Sequence, residues 1–305
     1  MSQNEPLVVV VIPNWNLRED LGECLESLQE SDYTNFHVIV VDNASKDNSV
    51  EFLQNSYPWV SILAKKENGG YAAALNDGIR ATANLKPDYF LILNNDTLVL
   101  HDAINELVKV AEKDPDIAIA APKIIYHNNP ERIFSLGDRI FPFLPLPVRY
   151  GLNKKDRPEY NGIMEFDYVF GCAFLIRSEM IKEVGYFDIS YFMFYEDADF
   201  CRRVKDAGYK IVRVGSSIIR HKASKSVNKQ RPYMTYLRAR NRSRFYRRYR
   251  HGPSPIFTFI ALFFGSILTI IKLVFSGSNT LIKHYLKGAW TGLHEPLPPI
   301  DQGIQ

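Results

Sequence analysis

Cysteine is scarce. Cys24, Cys172 and Cys201 are the whole complement of a 305-residue chain, and no two of them stand in a Cys-x-x-Cys pair. A disulfide framework and a thiolate zinc site are thereby excluded, and a reducing, cytosolic compartment is expected. No Gly-x-Gly-x-x-Gly follows an early strand and no Gly-x-x-x-x-Gly-Lys-Ser/Thr occurs, so dinucleotide oxidoreductases and phosphate-loop NTPases lack support. The start, Met-Ser-Gln-Asn-Glu-Pro, has neither the basic residues nor the apolar stretch of a secretory signal. Internal repeats and low-complexity tracts are absent too. The most unusual gap lies in residues 207–294, which hold seventeen Lys and Arg and not one carboxylate.

What is present is the profile of a folded protein, 46% apolar and 23% charged, long enough to bury a sizeable core. The formal net charge of +3 conceals a division, because the chain through residue 206 carries 20 basic and 32 acidic side chains. An acidic body followed by a basic tail points to an anionic partner: lipid headgroups, a diphosphate or nucleic acid.

Along the body, β-branched runs alternate with helical periodicity. Strands are expected at 7–12, 36–41, 60–64 and 89–93, with helices at 18–30, 47–56 and 70–84 between them. That alternation predicts an α/β fold with a doubly wound, mostly parallel sheet, whose ligands bind beyond the carboxyl ends of the strands. Polar residues stand at all four ends: Asn14 and Asn16, Asp42 and Asn43, Asn68, and Asn94 to Asp96. Between 123 and 166 the pattern loosens around Pro142, Pro145, Pro147 and Pro158, as expected of loops covering a site. Residues 167–176 read as a strand with Gly171 where a ligand or backbone comes close. A helix at 178–184, an aromatic loop at 186–195, a helix over 196–207 and two short strands ending near His221 complete the body.

The motifs Val-Ile-Pro-Asn-Trp-Asn (11–16), Val-Val-Asp-Asn-Ala-Ser (40–45), Asn-Gly-Gly-Tyr-Ala-Ala-Ala-Leu-Asn (68–76), Leu-Asn-Asn-Asp (93–96), Gly-Cys-Ala-Phe-Leu-Ile (171–176) and Tyr-Glu-Asp-Ala-Asp-Phe (195–200) occur in this order. In these motifs the chain resembles the inverting glycosyltransferases of family 2, with the GT-A fold, and most closely their rhamnosyltransferase-like branch. The likeness covers nearly all of residues 7–250. It implies a glycosyltransferase domain over 1–226, with a nucleotide-sugar-binding half (1–122) and an acceptor half (123–226), followed by a helical, basic and apolar region over 227–305.

The resemblance also implies roles. Pro13, Asn14, Asn16, Asp42, Asn68, Gly69 and Asn95 would hold a nucleotide-diphosphate sugar. Asp42 would accept hydrogen bonds from base or ribose, though an Asp there also suits a helix cap, and Asn68 suits an ordinary turn. Asp96 would bind a divalent ion, Mn2+ or Mg2+, with one carboxylate fewer than many relatives because Asn94 fills the first position. His221 is placed like a metal-binding histidine, or is simply structural. Asp197 would be the base that deprotonates the acceptor hydroxyl, with Gly171, Glu196 and Asp199 on the acceptor side. Without the other motifs, three acids opening a helix would read as a favourable first turn.

Residues 256–271 carry no charge and follow a cluster of Arg238, Arg240, Arg242, Arg244, Arg247, Arg248 and Arg250. The expected partner is the cytoplasmic membrane surface through residues 228–290, by peripheral or single-pass attachment. A solvated basic face, or a hydrophobic hairpin packed on the body or on a homodimer mate, are the structural alternatives. Nucleic acid is not expected. The implied function is transfer of a sugar, rhamnose by analogy, to a hydroxyl of a lipid-linked saccharide. A polyprenyl-phosphate sugar synthase and a catalytically silent nucleotide- or nucleic-acid-binding module are the rival readings.

Overall fold

The computed structural model describes residues 5–139, 148–222, 231–249 and 255–301. Pro142, Pro145, Pro147 and Arg250 lie outside the described residues, as do residues 223–230, where the expected tail begins.

The chain begins β1 (Val8–Asn14), α1 (Arg18–Gln29), β2 (Phe36–Asp42), α2 (Ser49–Ser56), β3 (Ser61–Ala64), α3 (Tyr71–Ala81), β4 (Tyr89–Leu93). It continues through β5 (Thr97–Val99), α4 (Ala103–Lys113), β6 (Ile117–Tyr126), β7 (Ile133–Ser135), β8 (Asp138–Arg139), β9 (Val148–Arg149) and β10 (Ile163–Glu165). The remainder is β11 (Ala173–Arg177), α5 (Glu179–Val184), α6 (Glu196–Asp206), β12 (Lys210–His221), α7 (Arg231–Tyr249), α8 (Pro255–Phe275) and α9 (Thr280–His294).

The main sheet has the order β10-β12-β6-β11-β4-β1-β2-β3, with β5 on β12 and β7 on β6. β3, β2, β1 and β4 are mutually parallel, as are β6 and β12, while β11 runs antiparallel between the two groups. Every residue of β1 is buried, the pattern of a strand covered on both faces. Val8, Val10 and Ile12 pack with Leu21, Cys24, Leu25 and Leu28 of α1, whereas Val9 and Val11 pack with Ala72, Leu75 and Ile79 of α3. The period of two along β1 thus sends alternate side chains into two cores.

Three features depart from expectation. The strand expected over 167–176 begins only at Ala173. Upstream, the Gly171 N–H and carbonyl are drawn to the Asp197 and Tyr71 side chains instead of a ladder. The two short strands ending near His221 are one strand, β12, whose register shifts between Val214 and Ile218 and gives it the look of two. β6 runs through the expected 122/123 division, so one sheet serves both halves.

α7 and α9 pack closely. A Cβ on Gly288 or Gly292 would collide with the carbonyls of Tyr236 and Arg240, so these two glycines let the backbones meet. Five arginines of α7 also turn inward. Arg240 and Arg244 donate to the Ser190 carbonyl, Arg242 to Ser266 and Tyr285, Arg244 also to Glu295, and Arg247 to the carbonyls of Leu293 and Glu295. Arg248 reaches Asp188 and the Pro298 carbonyl. Of these five head groups, expected to face lipid, Arg240, Arg244 and Arg248 tie the C-terminal region to the body, while Arg242 and Arg247 hold its own helices together. The outer side of α8 is apolar and exposed, including Phe259, Phe263, Phe264, Leu268 and Phe275. Among the described residues no helix is long and apolar enough to cross a membrane.

Candidate active site

The carboxyl ends of β1, β2 and β4 are joined by side chains. Asn14 Nδ2 donates to Asp42 Oδ1 at 2.9 Å, and Asn95 Nδ2 donates to Asn14 Oδ1 at 2.7 Å. Asp42 Oδ2 accepts the Ser45 N–H, so its carboxylate closes the turn after β2 and does not cap α2. Asn16, at a positive φ of 54°, accepts the Lys46 N–H and donates its own N–H to Ser45 Oγ, tying the loops after β1 and β2. Pro13 is buried within β1 beside this network. Lone pairs remain on Asp42, since a carboxylate accepts up to about four hydrogen bonds.

The loop before α3 differs from its expected use. Asn68 Oδ1 accepts the Gly70 N–H in a turn, and Asn68 is exposed. A Cβ on Gly69 would meet only the flexible end of Lys65 closely, at 2.9 Å. Gly70 is the demanding position: its φ is +90°, and a Cβ there would lie 2.5 Å from the Phe192 ring. The Phe192 carbonyl accepts the N–H groups of Tyr71 and Ala72. The group that approaches this helix start is therefore the protein's own aromatic loop.

Asp96 and His221 meet where β12 pairs with β5. Both are buried, with His221 Nε2 3.2 Å from Asp96 Oδ1. Phe134 and Phe170 pack edge-on against the imidazole, at centroid distances of 4.7 and 6.2 Å. Neither His221 ring nitrogen forms a hydrogen bond among the described residues. Two ligands on one ion, each about 2.1 Å away and at right angles, stand about 3 Å apart, so this pair fits two positions of a divalent cation. Among the described residues no third His, Cys, Asp or Glu completes a cluster, which leaves the other positions to phosphate oxygens or water.

Asp197 opens α6. Its Oδ2 accepts the Gly171 N–H at 2.8 Å and its Oδ1 the Ala198 N–H at 2.8 Å. A Cβ on Gly171 would lie 2.8 Å from that Oδ2, which explains the glycine: it admits the carboxylate. Burial pushes the Asp197 carboxyl above its usual range, while the Ala198 and Gly171 N–H groups and the Arg149 guanidinium hold it down. Tyr71 spans the two centres, its hydroxyl 2.8 Å from both Asn94 Oδ1 and the Gly171 carbonyl. Cys172, next in the chain, accepts the Asn94 N–H and feels both Asp96 and Asp197. The candidate metal pair and the candidate base are thus neighbours.

Glu196 stays within the electrostatic reach of Asp197 and Tyr71, whereas Asp199 turns away to other partners. Glu196 is buried with Oε2 unpartnered, and burial foremost, then Asp197 and Asp199, pushes its carboxyl well up. Asp199 is fully buried, accepting from Arg203 Nε at 3.0 Å and from the Tyr249 hydroxyl at 2.8 Å. At about 100° per residue, Asp197 and Asp199 lie on opposite sides of α6.

The loop leading into α6 is strained. Phe192, Phe194 and Tyr195 have φ of 64°, 71° and 73°, a region that non-glycine residues rarely occupy. Asn241 of α7, itself buried, holds it by directing Nδ2 at the carbonyls of Tyr191, Met193 and Phe194, at 2.8, 2.8 and 2.9 Å. Sequence reasoning missed Asn241, an uncharged residue inside an arginine cluster. It also missed Arg149, whose guanidinium lies 4.1 Å from the Phe170 ring, because nothing in the irregular stretch aligned it with the base.

Comparison with known proteins bears on the family and the fold. The family described as Glycosyl transferase family 2 matches residues 9–185. An uncharacterised glycosyltransferase of Rickettsia typhi is 31% identical over 192 residues, 62% of this chain and 57% of that protein. The low-salt glycan biosynthesis hexosyltransferase of Haloferax volcanii is 24% identical over 243 residues, 76% of this chain and 73% of that one. The match thus spans little more than half of the Rickettsia relative. Among solved structures, the mannosyltransferase of Pyrobaculum calidifontis in complex with GDP-Man and Mn2+ gives a TM-score of 0.60 at 17% identity, covering 96% of this chain and 88% of that one. GalNAc-T7 with UDP, GalNAc and Mn2+ gives 0.61 at 16% identity, covering 81% and 48%. These likenesses show the GT-A fold. With the family matched across more than half its length, the chain belongs to glycosyl transferase family 2.

Proposed function

We propose that the protein is an inverting, metal-dependent glycosyltransferase that moves a sugar from a nucleotide-diphosphate donor to a hydroxyl of a lipid-linked saccharide, with rhamnose as the sugar by analogy. The observation that carries this reading is the adjacency of Asp197, largely buried and bound by two N–H groups, to the buried Asp96–His221 pair across Tyr71 and Cys172. The Asp42–Asn14–Asn95 network would receive the nucleoside. A divalent cation on Asp96 and His221 would neutralise the leaving diphosphate. Asp197 accepts the proton of the acceptor hydroxyl as that oxygen attacks the anomeric carbon, and its raised pKa makes it a better base than a solvated carboxylate. Gly171 and Ala198 fix the carboxylate so that its remaining lone pairs face the acceptor.

The exposed apolar side of α8, with Leu286 and Trp290 of α9, supports attachment in the plane of a membrane. Lys272, Lys283 and Lys287 are exposed charges there, since Arg240, Arg242, Arg244, Arg247 and Arg248 of α7 face inward. The proposed location is the cytoplasmic face.

The experiment is a thermal-shift screen of the protein and Asp197→Asn against UDP, dTDP, GDP and CMP, with and without Mn2+, followed by transfer assays. A Mn2+-dependent shift shared by both proteins, with transfer lost only in Asp197→Asn, supports the assignment. Retained transfer in Asp197→Asn removes it from the role, and no shift with any nucleotide refutes the donor site.

A further inference from the structure

We propose that Arg149 and Arg238 form an anion-binding subsite beside Asp197 that holds a phosphate group of the acceptor. The inference rests on the acceptor-side reading of Asp197 and names the chemistry that side recognises. The two residues come from distant elements, Arg149 from β9 and Arg238 from α7. Each guanidinium lies over an aromatic ring attached to the base. Arg149 Cζ is 4.1 Å from the Phe170 centroid and 4.9 Å from that of Phe134, and Phe170 directly precedes the Gly171 that binds Asp197. Arg238 Cζ is 4.4 Å from the Phe194 centroid, in the strained loop that delivers Asp197.

The donors of these two arginines are unused. Among the described residues neither makes a hydrogen bond, and the buried Arg149 Nε–H has no acceptor. Arg149 has two acidic neighbours: Asp138, whose Oδ1 stands 3.7 Å from Nε, beyond hydrogen-bonding distance, and Asp197, whose carboxyl its charge helps to hold down. Arg238 has no ion pair among the described residues and is exposed. The rest of α7 makes the contrast, because Arg240, Arg242, Arg244, Arg247 and Arg248 all donate to protein acceptors. Arg238 alone of the described α7 cluster from 238 to 248 keeps its fork open.

The pair also repels itself. The charge of Arg149, after burial, is the next cause that lowers the pKa of Arg238. Two like charges stacked on rings, within electrostatic reach and with free donors, are best matched by a dianion. Guanidinium forks bind phosphate oxygens bidentately, and partial exclusion of water by the rings strengthens the contact. A neutral hydroxyl acceptor needs neither cation. A phosphate bound here would set its acceptor next to the base.

The phosphate belongs either to a lipid-linked diphosphate or to a water-soluble phosphorylated acceptor, and a binding experiment on the full chain separates them. Calorimetric titration is run in EDTA, so that no metal assembles the donor site, with farnesyl diphosphate, inorganic diphosphate and farnesol. The expected result is binding of farnesyl diphosphate that falls at least tenfold in Arg149→Gln and in Arg238→Gln, with farnesol unaffected and Asp96→Asn like the parent. Farnesyl diphosphate at least tenfold tighter than inorganic diphosphate assigns the lipid-linked source, and equal affinities assign the soluble one. Absence of binding, binding undiminished in both arginine variants, or binding lost in Asp96→Asn overturns the subsite. Exposed Arg238 keeps the test decisive should Arg149→Gln fold poorly. No sugar donor or turnover is involved, so failure of glycosyl transfer would sink the proposed reaction and leave this result standing.

Discussion

Replacing Asn241 with Ala removes the group that gathers three carbonyls of the loop before α6. An amide NH2 has two hydrogens, so the three contacts amount to two full hydrogen bonds with one shared. Two such bonds contribute about 1 kcal/mol each, and a buried carbonyl left without a partner adds about 1 kcal/mol or more. The loop does not hold itself, because Phe192, Phe194 and Tyr195 favour leaving their left-handed conformations. The loss is therefore about 3 kcal/mol, or about a hundredfold in the equilibrium between held and released loop. At about 2.1 cal/mol/K of unfolding entropy per residue, it lowers Tm by about 5 °C in cooperative unfolding. The sharper readout is hydrogen exchange at the amides of Tyr71 and Ala72, which donate to the Phe192 carbonyl. Their protection should fall with the loop, and kcat should fall with it while donor affinity holds. Unchanged exchange at those two amides, with Tm within 1 °C, would refute the idea that Asn241 holds the loop.

Gly171→Ala should lower kcat by two orders of magnitude or more with donor binding kept, because the new Cβ would press on Asp197 Oδ2; transfer and nucleotide thermal shift on the same preparation check this. Asp138 is pushed up to about 6 by burial, from 3.8. The folded chain thus retains a proton there that the unfolded chain releases between those values, so this group costs nothing below pH 3.8 and most above pH 6. Asp138→Asn should accordingly raise stability by up to about 3 kcal/mol at pH 7.5 and by almost nothing at pH 3.5, and equal denaturant midpoint shifts at both would contradict the assignment. Phe263→Glu with Phe264→Glu should abolish sedimentation with anionic vesicles and leave Tm unchanged, since both rings are exposed; retained sedimentation would place the membrane contact elsewhere.

Much of the amino-terminal half of the sheet was legible because its signals are local. Continuous β-branched runs make two-sided strands, and polar residues at their carboxyl ends fall on one edge, so Asn14, Asp42, Asn95 and Asp96 could be grouped before any contact was known. Gly171 was read as a point of close approach, and the Asp197 carboxylate is what approaches. Asp199 was misplaced because motif spacing does not say which side of a helix faces a cleft, and Arg203, Arg248 and Tyr249 claim that side chain from outside the motif. The arginines of α7 read as a membrane patch because composition counts charge without direction. Their acceptors are mostly main-chain carbonyls of the aromatic loop and of the segment after α9, which leave no trace in sequence.

The clamp on the loop before α6 has a bearing on synthesis. Asn241 lies 50 residues downstream of the Tyr191 whose carbonyl it binds. A chain on the ribosome that has emerged only through His221 already contains the strand ends, the Asp96–His221 pair and Asp197, yet the peptide that fixes the loop in its unfavourable backbone has not been made. The loop before α6 would thus gain its clamp, and the core its Phe245 and Tyr246, only as the last part of the polypeptide is made.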